Sequence, residues 1–230
     1  GRRRPVGKGI KVLFAPDSYG ALSSTDAIKR LSVAARRHFQ GVKIVPVPMT
    51  YGGRGMVRAL VTACEGAYRT AKITPLVPEG KSSAVYGVLH GKTAVLALAE
   101  VLPCEGEGTA SLNAGELIRR ALDEGLREIV LGTAESAIRD CGMGCMRALG
   151  VKFYDAEGTE LKGSAEELGR VAAVDTEYLH PGLREARITI LNGGISETPA
   201  EYAEDAVRFR ALVASAVGVS ASDCAGVGGL

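Results

Sequence analysis

The chain has almost no net charge: 28 lysines and arginines against 26 aspartates and glutamates leave +2 over 230 residues. Much of that excess lies in Arg2, Arg3 and Arg4, so no basic face argues for nucleic acid. No apolar run is long enough to cross a bilayer, which argues against a membrane partner. The leader GRRRPVGKG lacks an apolar centre and does not read as a signal peptide; residues 1–9 are expected to form a flexible basic leader. Cysteine is sparse and scattered, at Cys64, Cys104, Cys141, Cys145 and Cys224. An odd count without regular spacing points to reduced thiols and a cytoplasmic setting rather than to a disulfide framework. Cys141 and Cys145 lie one helical turn apart, but no histidine or further cysteine stands beside them, so they make a poor zinc site. There is no internal repeat and no low-complexity tract.

What is present is a glycine-rich α/β texture, with 30 glycines and 46% hydrophobic residues. Residues 129–150, IVLGTAESAIRDCGMGCMRALG, read as a buried strand, a loop of small and polar residues, and a helix stopped by Gly150. Strand, small-residue loop and helix together present backbone N–H groups to an anion. Ser136 and Asp140 in that loop offer a hydroxyl and a carboxylate to a phosphate or its metal. Earlier, KVLFA at 11–15 reads as a strand followed by the polar turn Pro16, Asp17, Ser18, Tyr19 and Gly20. A helix is expected from Ser23 or Ser24, with Asp26 in its first turn. A second strand at 43–47 runs into Tyr51, Gly52, Gly53, Arg54 and Gly55 before a helix over about 56–64. Ligands of open α/β sheets sit at the carboxyl ends of strands, so these three loops are expected to converge. Gly52, Gly53 and Gly55 would let a phosphate approach the backbone, although G-G-x-G matches neither a P-loop nor the dinucleotide fingerprint.

Between residues 72 and 101 the texture changes to short β-rich runs with no convincing helix, which suggests antiparallel strands and a second domain. Asn113 with Glu116 three residues later marks a helix start that ends at Gly125. VKFYD and TEL around 155–158 suggest a hairpin, and RITILN at 187–192 another strand. Thr198, Pro199 and Glu201 mark a final helix start, with Tyr202, Ala206, Phe209, Val213 and Ala216 on one face.

Taken together, APDS at 15–18, VPMTYGGRG at 47–55, TASLNAGELIRRALDEG at 109–125 and SAIRDCGMGCMRALGVKF at 136–153 resemble the bacterial glycerate kinases of the tartronate and glucarate pathways, in order and in register over most of 11–191. The resemblance implies an α/β fold: a Rossmann-like three-layer parallel-sheet domain with an inserted second α/β domain containing antiparallel strands. On that basis 10–72 with 109–150 would be the Rossmann-like domain, incomplete here, and 73–108 with 151–230 the second domain. It further implies ATP- and Mg2+-dependent phosphorylation of D-glycerate to a phosphoglycerate. Phosphoryl transfer depends on positioning and charge neutralisation more than on covalent chemistry. Asp140 and Asp17 are then the expected catalytic carboxylates, Asp140 also the Mg2+ ligand. Ser18, Ser136, Gly52, Gly53, Arg54, Gly55 and Arg139 are the expected substrate and phosphate contacts, the arginines supplying positive charge.

The chain departs from the family pattern at several points. The first loop, usually APDSFKGS-like, has no lysine. The second, usually ADGGEG-like, carries Tyr51 and Arg54 in place of its two acids. In the third, usually GGSATNDGGAG-like, Ala134, Glu135, Arg139 and Cys141 replace glycine, glycine, asparagine and glycine. A CDVTNPL-like stretch is shortened to Asn192, Gly193, Gly194 and Ile195, and no GEGRLD-like motif follows the closing CAGVGGL. Two alternatives to an active kinase follow: a relative that kept the scaffold as a binding protein, or a C-terminally truncated product whose unclosed sheet would aggregate or form homo-oligomers.

Overall fold

A computed structural model describes residues 10–76, 79–101, 111–135, 138–191 and 202–218. In chain order, β1 (Lys11–Phe14) leads into α1 (Ser24–His38), which is followed by β2 (Lys43–Pro46) and α2 (Met56–Ala63). Three strands come next, β3 (Ala67–Lys72), β4 (Ser83–Leu89) and β5 (Thr93–Ala97). Then come α3 (Leu112–Asp123), β6 (Glu128–Gly132), α4 (Met143–Ala148), β7 (Lys152–Tyr154), β8 (Ala173–Asp175), β9 (Arg187–Leu191) and α5 (Ala203–Val217). No helix among the described residues is long and apolar enough to cross a membrane.

The first helix starts where its cap residue lies. Ser23 accepts the Asp26 N–H at 3.1 Å, and its hydroxyl donates back to the Asp26 carboxylate at 2.7 Å. This satisfies one of the N–H groups that a helix start leaves without a partner. Asp26 also accepts both guanidinium nitrogens of Arg58 at 2.8 and 3.2 Å, which ties α1 to α2. The start of α3 falls earlier than the Asn113–Glu116 pattern indicated, with Ser111 as the residue before the helix. Asn113 donates to Glu116 and to the Thr74 carbonyl, both at 2.8 Å, so its side chain fastens the helix to the segment after β3.

The main sheet has the order β3-β4-β5-β6-β9. β3, β4 and β5 are antiparallel neighbours, as the texture of 72–101 suggested, while β5, β6 and β9 run parallel, so the sheet is mixed. Residues 73–108, assigned by resemblance to a second domain, thus place β4 and β5 in the same sheet as β3 and β6. The composition of β5 shows why. Ala94 and Leu96 pack on one side with Leu117, Leu122 and Ile129, and Val95 and Ala97 on the other with Val57 and Val61 of α2. A strand apolar on both faces belongs in the middle of a sheet covered by helices on each side. The result is three layers, with α2 on one face and α3 and α4 on the other.

β1 and β2 pair in parallel, and among the described strands only with each other. A third apolar cluster joins Phe153, Leu161, Leu168 and Val171 to Phe209 of α5, with the Phe153 and Phe209 ring centroids 5.4 Å apart. The expected hairpin is present as a bridge between Tyr154 and Glu160, although the ladder partner of β7 is β8. The Thr198–Pro199 helix start lies outside the described residues; α5 is described from Ala203 and ends at Gly218, whose φ of +75° suits glycine.

Candidate active site

The loops after β1, β2 and β6 meet. They enclose a cleft of about 530 Å³ lined by Asp17, Ser18, Tyr51, Arg54, Gly55 and Glu135, with residues 20–23 completing the wall. The side chains of Asp17, Ser18, Arg54 and Glu135 are exposed to it. Tyr51 links the loops. Its hydroxyl donates to Glu135, and the hydrogen bond and charge of Glu135, together with burial and the charge of Asp17, raise its pKa against the pull of the Ser18 hydroxyl.

The glycine loop at 52–55 is shaped for close approach. Gly52 has φ +95°, and a Cβ there would lie 2.5 Å from the Leu191 carbonyl oxygen at the end of β9. A Cβ on Gly53 would lie 2.6 Å from Glu135 Oε2. Its backbone N–H groups point at oxygen acceptors from this same chain. Gly52 N–H donates to Thr50 Oγ1 at 3.2 Å, Arg54 N–H to Glu135 Oε2 at 2.8 Å and Gly55 N–H to Glu100 Oε1 at 3.0 Å. The Tyr51 hydroxyl and the Arg54 N–H, with the Arg54 charge, hold the Glu135 carboxyl below its ordinary pKa. Glu100 is shifted the other way by burial.

Asp140 is 0% exposed. Its Oδ2 accepts from the Ser111 N–H at 2.7 Å, the Ser111 hydroxyl at 3.0 Å and the Gly144 N–H at 3.1 Å, and its Oδ1 from the Gly142 N–H at 3.0 Å. Ser111 Oγ in turn accepts from Cys145 N–H at 2.8 Å. The carboxylate therefore caps α4 and joins it to the start of α3. Burial pushes its pKa up against these four donors, and burial with the charge of Asp140 lifts the Cys145 thiol to about 12. Arg139 is exposed, and its charge acts on Glu166. Among the described residues, neither Asp140 nor Arg139 lines the cleft. Ser136 lies outside the described residues. No three His, Cys, Asp or Glu side chains gather as a metal-binding group among the described residues.

A family model described as the glycerate kinase family matches residues 12–193. The chain belongs to the glycerate kinase family. It is 35% identical over 191 residues to the glycerate 2-kinase of Escherichia coli, an alignment covering 79% of this chain and 50% of that protein. It is 31% identical over 192 residues to a glycerate kinase of Haemophilus influenzae, again covering 79% and 50%. The chain thus spans about half the length of the curated relatives it matches. Its fold superposes with a TM-score of 0.75 on a crystal structure from Salmonella typhimurium LT2 assigned as a glycerate kinase 2. That match has 26% sequence identity and covers 94% of this chain and 66% of that one.

Against the glycerate kinase pattern, the substituted positions are spatially linked. Tyr51 and Arg54, which stand where the pattern has acids, both bond Glu135, which stands where it has glycine. Glu135 and Cys141, both at pattern glycines, keep positive φ values of +58° and +48°. The loop thus holds these residues in a left-handed conformation that is less favourable for them than for glycine. Sequence reasoning did not single out Glu100, Ser111 or a site role for Glu135. Only the exchange of acid for base at 54 and of glycine for acid at 135 hinted at the last.

Proposed function

We propose that this chain forms the cleft of an ATP-dependent kinase that phosphorylates D-glycerate to a phosphoglycerate. The observation that carries the reading is the convergence of the β1, β2 and β6 loops on one cleft in a chain of the glycerate kinase family. A volume of about 530 Å³ lies within the range of small-ligand sites. Mg2+ commonly uses only one or two protein carboxylates beside substrate phosphates and water, so the exposed carboxylate of Asp17 in the cleft would suffice to hold it. ATP would supply the transferable phosphoryl group and Mg2+ charge neutralisation. In this reading Asp17 takes the metal-orienting role expected of Asp140, being exposed to the cleft while Asp140 is enclosed. Ser18 donates its hydroxyl to the substrate, and Arg54 offers its guanidinium to phosphate. Gly52, Gly53 and Gly55 keep the backbone close, Asp140 fixes the start of α4, and Ser136 and Arg139 are further candidate phosphate contacts. The two-domain arrangement implied by resemblance, 10–72 with 109–150 and 73–108 with 151–230, also stays a proposal.

The test is ADP release by the purified protein with Mg-ATP, with and without D-glycerate, beside Asp17→Asn. Glycerate-dependent release that falls at least about a hundredfold in the variant is expected for a charge acting on the transferred group. A folded protein with no glycerate-dependent release would overturn the assignment for this chain.

A further inference from the structure

We propose that Glu135 is a resident anion of the glycine loop, holding the backbone position that a phosphate-bearing ligand must take over. This rests on the reading of the cleft as a phosphate site. Backbone N–H groups before a helix suit an anion, and here the anion in contact is a side-chain carboxylate from 81 residues further along. Oε2 accepts the Arg54 N–H, and Oε1 accepts the Tyr51 hydroxyl. The carboxylate lies so close to the loop that a single methyl group on Gly53 would sit 2.6 Å from it. Glu135 reaches this place with φ +58°, a conformation that glycine adopts freely and glutamate does not. Its two donors hold it ionised, so at neutral pH the charge is present. It lines the same cleft as Asp17, which adds a second negative charge.

Two consequences follow from charge alone. A bare polyphosphate meets like charge at the loop and binds weakly until Glu135 swings away. Removing the charge without changing the size of the side chain leaves an amide oxygen that holds the Arg54 N–H more weakly and no longer repels the ligand. A residue that served only to brace the loop would behave in the opposite way, since its loss would loosen the site and weaken binding.

The test uses metal-free pyrophosphate as the probe, with binding to the parent, Glu135→Gln and Glu135→Gly followed by calorimetry at low and high salt. Glu135→Gly places glycine where φ is positive, so it keeps the loop conformation even if the glutamine variant packs poorly. Affinity is expected to rise about tenfold in both variants at low salt, with the gain shrinking as salt screens the charge. Tyr51→Phe, which removes one of the two donors holding Glu135, is expected to raise it by a smaller factor. Unchanged or weaker binding in both Glu135 variants, or no pyrophosphate binding by any of the proteins, would overturn the inference. Glycerate-dependent ADP release by the parent is measured separately. A parent that turns over glycerate while its variants gain no affinity leaves the kinase reading standing and removes this one. Gained affinity without turnover does the reverse.

Discussion

Asp140 shows how a carboxylate in a glycine-rich loop can be committed to the fold. With its oxygens accepting from Ser111, Gly142 and Gly144, it meets donors that would otherwise be buried without partners. Each such group left unpaired costs about 1–3 kcal/mol. Asp140→Ala should therefore lower stability by about 3 kcal/mol or more, which for a chain of this length corresponds to about 6–12 °C in Tm. Thermal unfolding followed by circular dichroism checks it, and a shift of under about 2 °C would count against the capping role. Activity lost in that variant would be lost along with the loop's shape, which makes Asp17→Asn the more informative substitution for the chemistry. The sequence showed an acid and a hydroxyl in a small-residue loop. It did not show that the acid's partner would be Ser111, because that contact depends on how α3 and α4 pack.

At the scale of elements, the hairpin after β7 is held by Asp155. Its Oδ1 accepts the Thr159 N–H at 2.7 Å and its Oδ2 pairs with Arg170 at 2.8 Å. The Thr159 N–H first, and then Arg170, hold its carboxyl below the ordinary value of 3.8. Because the folded pKa is the lower one, the stabilisation is present above about pH 4 and is lost as pH falls through the folded value. Denaturation midpoints measured from pH 7 down to about 2.5 should fall less steeply for Asp155→Asn than for the parent, with a lower midpoint at pH 7. An unchanged slope would remove Asp155 from the acid response. The turn was legible because Asp155 to Gly158 is local chemistry. Helix starts and stops such as Ser23, Gly150 and Gly218 were legible for the same reason. Sheet order was not: nothing near β5 in sequence says that β4 and β6 will flank it, and only its apolar residues on both faces point to a central place. The three loops were legible as glycine and polar clusters after strands, whereas the Tyr51–Glu135 contact, 84 residues apart, was not.

For the whole molecule, the cleft lies between the two-stranded β1–β2 unit and the carboxyl ends of the five-stranded sheet. Links between these parts include the Arg58–Asp26 pair and the Tyr51–Glu135 hydrogen bond, while Gly52 sits against Leu191. A ligand held by Asp17, Ser18 and Arg54 binds an arrangement of loops that exists only in the folded state and has no counterpart in the unfolded chain. At a hundred times its Kd, such a ligand stabilises by about 2.7 kcal/mol. For a chain of this length that is a rise of about 5–10 °C in Tm. Mg-ADP should produce the rise, D-glycerate should add to it, and Asp17→Asn should diminish both. Equal shifts in parent and variant would place the nucleotide away from Asp17, and no shift at millimolar Mg-ADP would mean that the converging loops do not bind nucleotide in this chain. Because unfolding reports binding without turnover, the measurement separates a cleft that binds without catalysing from one that does both.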